Sequence, residues 1–224
     1  AVGFLMREHQ LTPKNTLFGY STCPDEINRS VTNFQYYYGE KQFPLGGLTG
    51  YPFSGKTGFH AFSHHVPDED GEGNILVLYG PHVGVSDNGE LGKVHREHQL
   101  HESAACGAAI SFLNKYLDAK QNSKSYEPHE DYLDAEQYAI EKMLLPYAER
   151  IIVSQNPVKE LVDANYILID ENILKIINNL REEFKGKIVL VGGVMINTSY
   201  AHRGCFDLRR FEIYHNGAME RLEF

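Results

Sequence analysis

Two runs in the chain, Ile75-Leu76-Val77-Leu78-Tyr79 and Ile188-Val189-Leu190-Val191, are apolar at almost every position. A strand with one wet face alternates apolar and polar residues, whereas a strand covered on both faces reads as continuous apolar sequence. These runs therefore predict buried parallel strands over 74–79 and 187–194, with a further strand pattern at 16–20 and a weaker one at 206–214. Between them the spacing becomes helical. The segment 103–117 sets small residues on one side and Ile110, Leu113 and Leu117 on the other. A second helical pattern covers 131–150, where Pro146 should kink or end it, and one or two more fill 157–180. Pro24-Asp25-Glu26 predicts another helix start, with proline in the first turn and carboxylates at the positive end of the dipole. The stretch 43–62 is rich in glycine and proline and reads as a long ordered loop, a length that in compact domains usually serves function. Strand and helix patterns in alternation predict an α/β fold, a mostly parallel sheet flanked by helices, over a single domain 1–224 without internal repeat.

Composition narrows the possible partners. A chain of 224 residues with 42% hydrophobic and 23% charged residues can bury a sizeable core. Its formal net charge of −9 argues against nucleic acid, which needs a basic surface. No apolar run approaches the ~18 residues that cross a bilayer. Three cysteines, Cys23, Cys106 and Cys205, cannot all pair within one chain, which points to a reducing compartment with free thiols. The sequence opens on Ala1, and no signal peptide is visible in it.

The chemistry concentrates in three segments. Gly19-Tyr20-Ser21-Thr22-Cys23-Pro24-Asp25-Glu26-Ile27-Asn28-Arg29 follows the first strand pattern, Gly80-Pro81-His82 follows the second, and Ala105-Cys106-Gly107 lies by a helix start. Catalytic zinc takes three protein ligands from Cys, His and carboxylates and leaves a fourth position for water. In parallel sheets, sites form beyond the carboxyl ends of strands, which suits Cys23 and His82. Asp25 and Arg29, four residues apart, would share one face of a helix, so that the guanidinium holds the carboxylate beside a metal. The residues alone leave other readings open. Each cysteine also suits a small core position, and an Asp–Arg pair at this spacing is commonly a surface bridge worth ~0.3–0.5 kcal/mol. His60, His64, His65, His95 and His101 all lie between the two cysteines, as His82 does.

A competing motif stands in the middle of the chain. Gly50-Tyr51-Pro52-Phe53-Ser54-Gly55-Lys56-Thr57 fits the P-loop pattern letter for letter, and the apolar run 166–170 ending in Asp170 mimics a Mg²⁺-binding strand. Context counts against nucleotide binding, since 43–47 does not read as a strand and Gly58 is a poor helix start. A cysteine hydrolase using Cys106 and a histidine is a further reading.

Several uncommon segments in one order carry a resemblance. They are Ser21-Thr22-Cys23-Pro24-Asp25-Glu26-Ile27-Asn28-Arg29, Gly46-Gly47-Leu48-Thr49-Gly50-Tyr51-Pro52-Phe53-Ser54-Gly55, Phe62-Ser63-His64-His65-Val66-Pro67, Gly80-Pro81-His82-Val83-Gly84-Val85-Ser86, Gly89-Glu90-Leu91-Gly92-Lys93 and Ala105-Cys106-Gly107-Ala108-Ala109-Ile110. The sequence resembles the limiting-CO2-inducible B protein family, β-type-like (θ class) carbonic anhydrases, densely over 15–115 and more loosely beyond. The resemblance implies a β-carbonic-anhydrase-like fold and Zn²⁺ held by Cys23, His82 and Cys106. It also implies Asp25 and Arg29 as a dyad that orients a zinc-bound hydroxide for attack on CO2, giving bicarbonate. In the broader β-type pattern, Cys-x-Asp-x-Arg, the arginine stands two residues after the aspartate, whereas Arg29 stands four after Asp25. His64 and His65 are candidates to pass the released proton to solvent. Some members of the family look inactive, so the alternative implied is a catalytically silent zinc-binding assembly subunit. A homodimer with sites near the interface, in the plastid stroma or cytoplasm and serving a carbon-concentrating mechanism, completes the expectation.

Overall fold

The computed structural model describes residues 2–28, 34, 36–39, 42–68, 71–199 and 204–223. Its central sheet runs β2-β1-β3-β7-β8-β9, built from β1 (Thr16–Thr22), β2 (Gln42–Pro44), β3 (Asn74–Gly80), β7 (Ile188–Thr198), β8 (Cys205–His215) and β9 (Ala218–Arg221). The first four are mutually parallel, while β8 and β9 return antiparallel. A short strand, β4 (His82–Val85), resumes after Pro81 and also pairs with β7, so that β7 serves β3 with its first half and β4 with its second. Lys93–Val94 and Ser103–Ala104 form a separate small ladder, β5–β6.

The two continuous apolar runs have the burial that their sequence predicts, because each face of the sheet is covered. On one side Ile75, Val77, Ile188 and Leu190 pack under α6 (Pro157–Leu180), which lays Ile169, Ile173 and Ile177 on them. On the other side Leu76, Leu78, Val189 and Val191 meet Phe18, Phe34 and Leu5 of α1 (Val2–Glu8). Each fully buried aliphatic side chain contributes about 1.5–3 kcal/mol, so the period-two split of these runs suffices to fix the strand register. A third apolar cluster joins α3 (Gly107–Gln121), α4 (Ala135–Leu144) and α5 (Ala148–Val153) to α6, and Cys23 and Cys106 belong to it.

Several expectations change in detail. The helical pattern over 131–150 is broken into α4 and α5 by a 3-10 turn, Leu145–Tyr147, that carries Pro146. The 157–180 pattern is one helix, started by Asn156, whose side chain accepts from Lys159 N, with Pro157 at the first turn. The run 166–170 lies inside that helix and is not a strand. The expected loop 43–62 contains the end of β2, a 3-10 turn (Leu48–Gly50) and a helix, α2 (Gly55–Ser63). Glycines weaken α2 locally, but it forms because Phe59 and Phe62 are both wholly buried against the sheet. The helix expected from Pro24 is replaced, over the described residues 23–28, by a turn closed by Asn28 N–H donating to Asp25 C=O, 3.1 Å.

Candidate metal centre

At the carboxyl end of the parallel strands the backbone is packed too closely for side chains. Gly80, at φ +142, lies where an added Cβ would overlap the carbonyl oxygen of Gly193. This close approach lets β3 end, Pro81 intervene and His82 begin β4 beside the second half of β7. Cys23 is the first residue after β1. Cys106 is the N-cap of α3, and Ile110 N–H donates to its carbonyl at 3.0 Å.

The three side chains converge. Sγ of Cys23, Sγ of Cys106 and a ring nitrogen of His82 all lie within 4.8 Å of one another and are buried, the one such group among the described residues. The two sulfurs are 3.7 Å apart, against about 3.8 Å for two sulfurs at zinc–sulfur distance in a tetrahedron. His82 is 1% exposed, and its Nδ1 lies 2.8 Å from Oδ1 of Asn197. The amide of Asn197 is itself fixed, because its Nδ2 donates to Ile27 C=O at 2.8 Å. Asn197 Oδ1 therefore accepts from Nδ1–H of His82, which leaves Nε2 as a lone pair facing the sulfurs. That Nε2 is buried without a hydrogen-bond partner. An orphaned buried nitrogen, a preset tautomer and two sulfurs at ligand spacing fit a zinc ion.

The thiols are polarised in opposite senses. Cys23 is pushed far up by its hydrogen bond to Cys106 and by burial, with His82 opposing. Cys106 is lowered, first by the Cys23 hydrogen bond, against burial, and then by the backbone N–H groups of Ala109 and Ala108. Of the two, the amides opening α3 favour Cys106 as the thiolate. His82 is raised: burial works against its charge, but the Cys23 sulfur, the Asn197 amide oxygen and the Asp25 carboxylate around the ring prevail.

Asp25 stands next to this group, with Oδ2 3.8 Å from His82 Nε2. Its guanidinium partner among the described residues is Arg96. Nη2 of Arg96 donates to both carboxylate oxygens, at 3.0 and 2.8 Å, and Nε donates to Glu26 at 2.7 Å. Nη1 reaches the Ala104 carbonyl at 3.1 Å and also Oγ of Ser103. Burial pushes the Asp25 carboxyl up, but the Arg96 hydrogen bonds and the His82 charge outweigh it and hold the group below its usual range. Asn28 locks the turn from below, donating Nδ2–H to Cys23 C=O at 2.8 Å.

Cys23, Asp25, His82 and Cys106 thus come together as the sequence suggests, while Arg29 lies outside the described residues. Arg96 and Asn197 were missed. Arg96 follows Lys93-Val94-His95, just beyond one of the segments that carry the resemblance, and Asn197 is a polar residue near the end of a long apolar strand; neither pattern by itself points to Asp25 or His82. His64 and His65 are not at the site. They follow α2, which carries the chain back toward the start of β3, at the opposite end of the parallel strands from the site.

The family model for limiting CO2-inducible proteins B/C β-carbonic anhydrases matches residues 1–215. The crystal structure of PtLCIB4, a homolog of the limiting CO2-inducible protein LCIB, is 33% identical in sequence and superposes with a TM-score of 0.86, covering 98% of this chain and 90% of that one. The crystal structure of the limiting CO2-inducible protein LCIB superposes with a TM-score of 0.71 over 99% of this chain and 89% of that one, and at 19% identity the likeness is one of fold. No curated protein matches the chain.

Proposed function

The chain belongs to the limiting CO2-inducible protein B/C family of β-carbonic anhydrases, and on that premise we propose that it interconverts CO2 and bicarbonate with Cys23, His82 and Cys106 holding zinc. The observation that carries this reading is the convergence of the three donors around an unpartnered His82 Nε2, with a restrained carboxylate beside them. When bound, zinc supplies the Lewis acidity that brings the ionisation of water into the neutral range.

The chain's own residues do the rest. Asn197 holds His82 in the tautomer that offers Nε2. The amides opening α3 support Cys106 as a thiolate. Arg96 keeps Asp25 ionised, hence an acceptor only, so its oxygens take a hydrogen bond from a water and aim it. The same grip keeps the carboxylate from joining the ligands. In this reading Arg96 fills the role that the resemblance gives to Arg29. Leu48, Tyr51 and Phe53 pack against the cluster that contains both cysteines, an apolar wall suited to CO2. We assign the activity to residues 1–224 acting as one unit, as a homodimer in a reducing compartment. Among the described residues, no helix is long and apolar enough to cross a membrane.

Zinc content and stopped-flow CO2 hydration, measured on the wild type and Asp25→Asn, test the proposal. Expected are stoichiometric zinc, catalysed hydration in the wild type, and a lowered rate with zinc retained in the variant. Full zinc with only the background rate would overturn it in favour of a silent assembly subunit of the same fold. Stoichiometric ATP or GTP binding without zinc would overturn it in favour of the P-loop reading.

A further inference from the structure

The histidines of α2 remain without a role. His60 lies in the last turn of α2, and His64 is its C-cap, with φ −84 and ψ −8, so the helical twist continues through both residues. His64 N–H donates to His60 C=O at 3.2 Å. The two rings lie side by side on one face, four residues apart, with centroids 4.4 Å apart and planes tilted by 59°. Their Nε2 atoms are 3.4 Å apart. Two imidazole nitrogens on a tetrahedral zinc, each at about 2.0–2.1 Å, stand about 3.3–3.4 Å from one another. The carboxylate of Glu183, from the turn after α6, brings Oε2 to 3.7 Å from His60 Nε2.

We propose that His60 and His64 form a second, surface metal site for a late first-row divalent ion such as Zn²⁺, Ni²⁺ or Cu²⁺, which the exposed Glu183 carboxylate, now near His60 alone, joins as third protein ligand by turning its side chain. Without metal, one Nε2–H donates to the other Nε2. A metal ion takes the lone pairs of both, which requires both protons on Nδ1. The donor set decides the class of ion: two imidazoles and one carboxylate suit zinc, nickel and copper, whereas magnesium and calcium need all-oxygen shells. The site opens on a groove of about 440 Å³ between α2 and the end of α6, lined also by Thr57, Phe59, Ile176 and Glu182. Lys56 in this groove is directed to Oδ1 of Asn179, 3.4 Å away. A bound ion would tie the end of α2 to the turn that leads into β7.

This site is independent of the Cys23–His82–Cys106 group. Glu183 precedes β7, whose first residue, Ile188, pairs with Ile75 at the start of β3. The length of a seven-residue strand, about 20 Å, separates that end of the strands from His82. The inference therefore does not rest on the proposed enzyme activity.

The test is calorimetric titration of zinc into the wild-type protein already saturated with its first equivalent and desalted. Expected is one further equivalent at micromolar affinity. His60→Ala and His64→Ala should each weaken it at least about tenfold, a difference of about 1.4 kcal/mol, and Glu183→Gln should weaken it several-fold. The first equivalent and the circular dichroism melt without added zinc should not change in any of these variants. Electron paramagnetic resonance of added Cu²⁺ should show nitrogen coupling that disappears in the His60→Ala/His64→Ala double variant. No uptake below millimolar zinc, or a second equivalent undiminished in the double variant, would overturn the proposal. Unchanged affinity in Glu183→Gln would remove Glu183 from it.

Discussion

Replacing Arg96 by leucine would strip the partner from a carboxylate that has little access to water. The two side chains are 13% and 12% exposed, and one guanidinium nitrogen holds both Asp25 oxygens, at 3.0 and 2.8 Å. Removing one member of a buried pair costs about 3–5 kcal/mol, and of an exposed pair about 0.2–1 kcal/mol. At this exposure, with the contacts to Glu26 and Ala104 also lost, about 2–3 kcal/mol is expected. For a chain of this size each kcal/mol lowers Tm by about 2–4 °C, so the melt should fall by about 4–12 °C. Asp25 would then keep its burial and lose the main force opposing it, so its carboxyl pKa would rise. A carboxylate both partly protonated and unrestrained orients water poorly, and kcat/KM for CO2 hydration should fall about 10–100-fold. The double variant with Asp25→Asn isolates the pair, because contacting residues depart from additivity by about 0.5–3 kcal/mol. Arg29→Leu belongs in the same experiment, since sequence spacing alone favours Arg29. An unchanged melt and rate in Arg96→Leu, with the loss appearing in Arg29→Leu, would refute the assignment.

Asn197→Leu removes the acceptor of His82 Nδ1–H and should weaken zinc binding about 10–100-fold, read by competition with a chelator. The three cysteines give a thiol count: exposed Cys205 should react at once with a disulfide reagent, and buried Cys23 and Cys106 only after zinc is chelated. Equal early reaction of all three with zinc present would contradict their role as ligands. Glu141 sets part of the acid limb of stability. Burial pushes its carboxyl up, but the side chains of Gln137, Lys115 and Tyr126, at 2.8, 2.6 and 2.6 Å, outweigh that and lower it. A depressed folded-state pKa gives stability that is full above the unfolded value, about 4.5, and lost as pH falls through the folded one. Tm should therefore decline on acidification below that value, and Glu141→Gln should lower Tm at neutral pH while flattening the decline.

What the sequence revealed depended on how far each signal reached along the chain. The runs 75–79 and 188–191 were legible because burial on two faces leaves a continuous apolar trace that needs no knowledge of neighbours. Cys23 and His82 were legible because each follows such a strand, and strand ends fix where side chains gather. Arg96 was not, because its approach to Asp25 depends on the path of the chain from β4 through the small β5–β6 ladder. Asn197 was not, because it reaches His82 through strand pairing 115 residues away in sequence. The expected helix at Pro24 failed for a local reason: proline followed by acidic residues suits a tight turn as well as a helix start, and the Asn28 side chain, bonded to Cys23 C=O, stabilises the turn.

The same distinction between pattern and context settles how the segment 50–57 should be understood. The structure supplies two features whose absence counted against a P-loop, a short strand before it and a helix that Gly55 opens. A phosphate-binding loop, however, works through backbone N–H groups left free to converge on an anion. Here Tyr51, Phe53, Ser54 and Gly55 each donate to a backbone carbonyl, of Leu48, Tyr51, Leu45 and Pro52 respectively, and residue 52 is a proline with nothing to donate. The amide of Leu48 already holds an anion of the chain itself, the carboxylate of Glu136, at 2.8 Å. Asp170, the would-be magnesium ligand, is held by both Arg210 nitrogens at 2.7 and 2.8 Å and by Tyr79 at 2.6 Å. With these amides engaged, the loop instead brings Gly50, at φ +89, against the carbonyl of Gly80, where a side chain would collide. That contact lies two residues from His82, so a glycine that imitates a nucleotide motif is what lets the backbone close around the candidate metal centre.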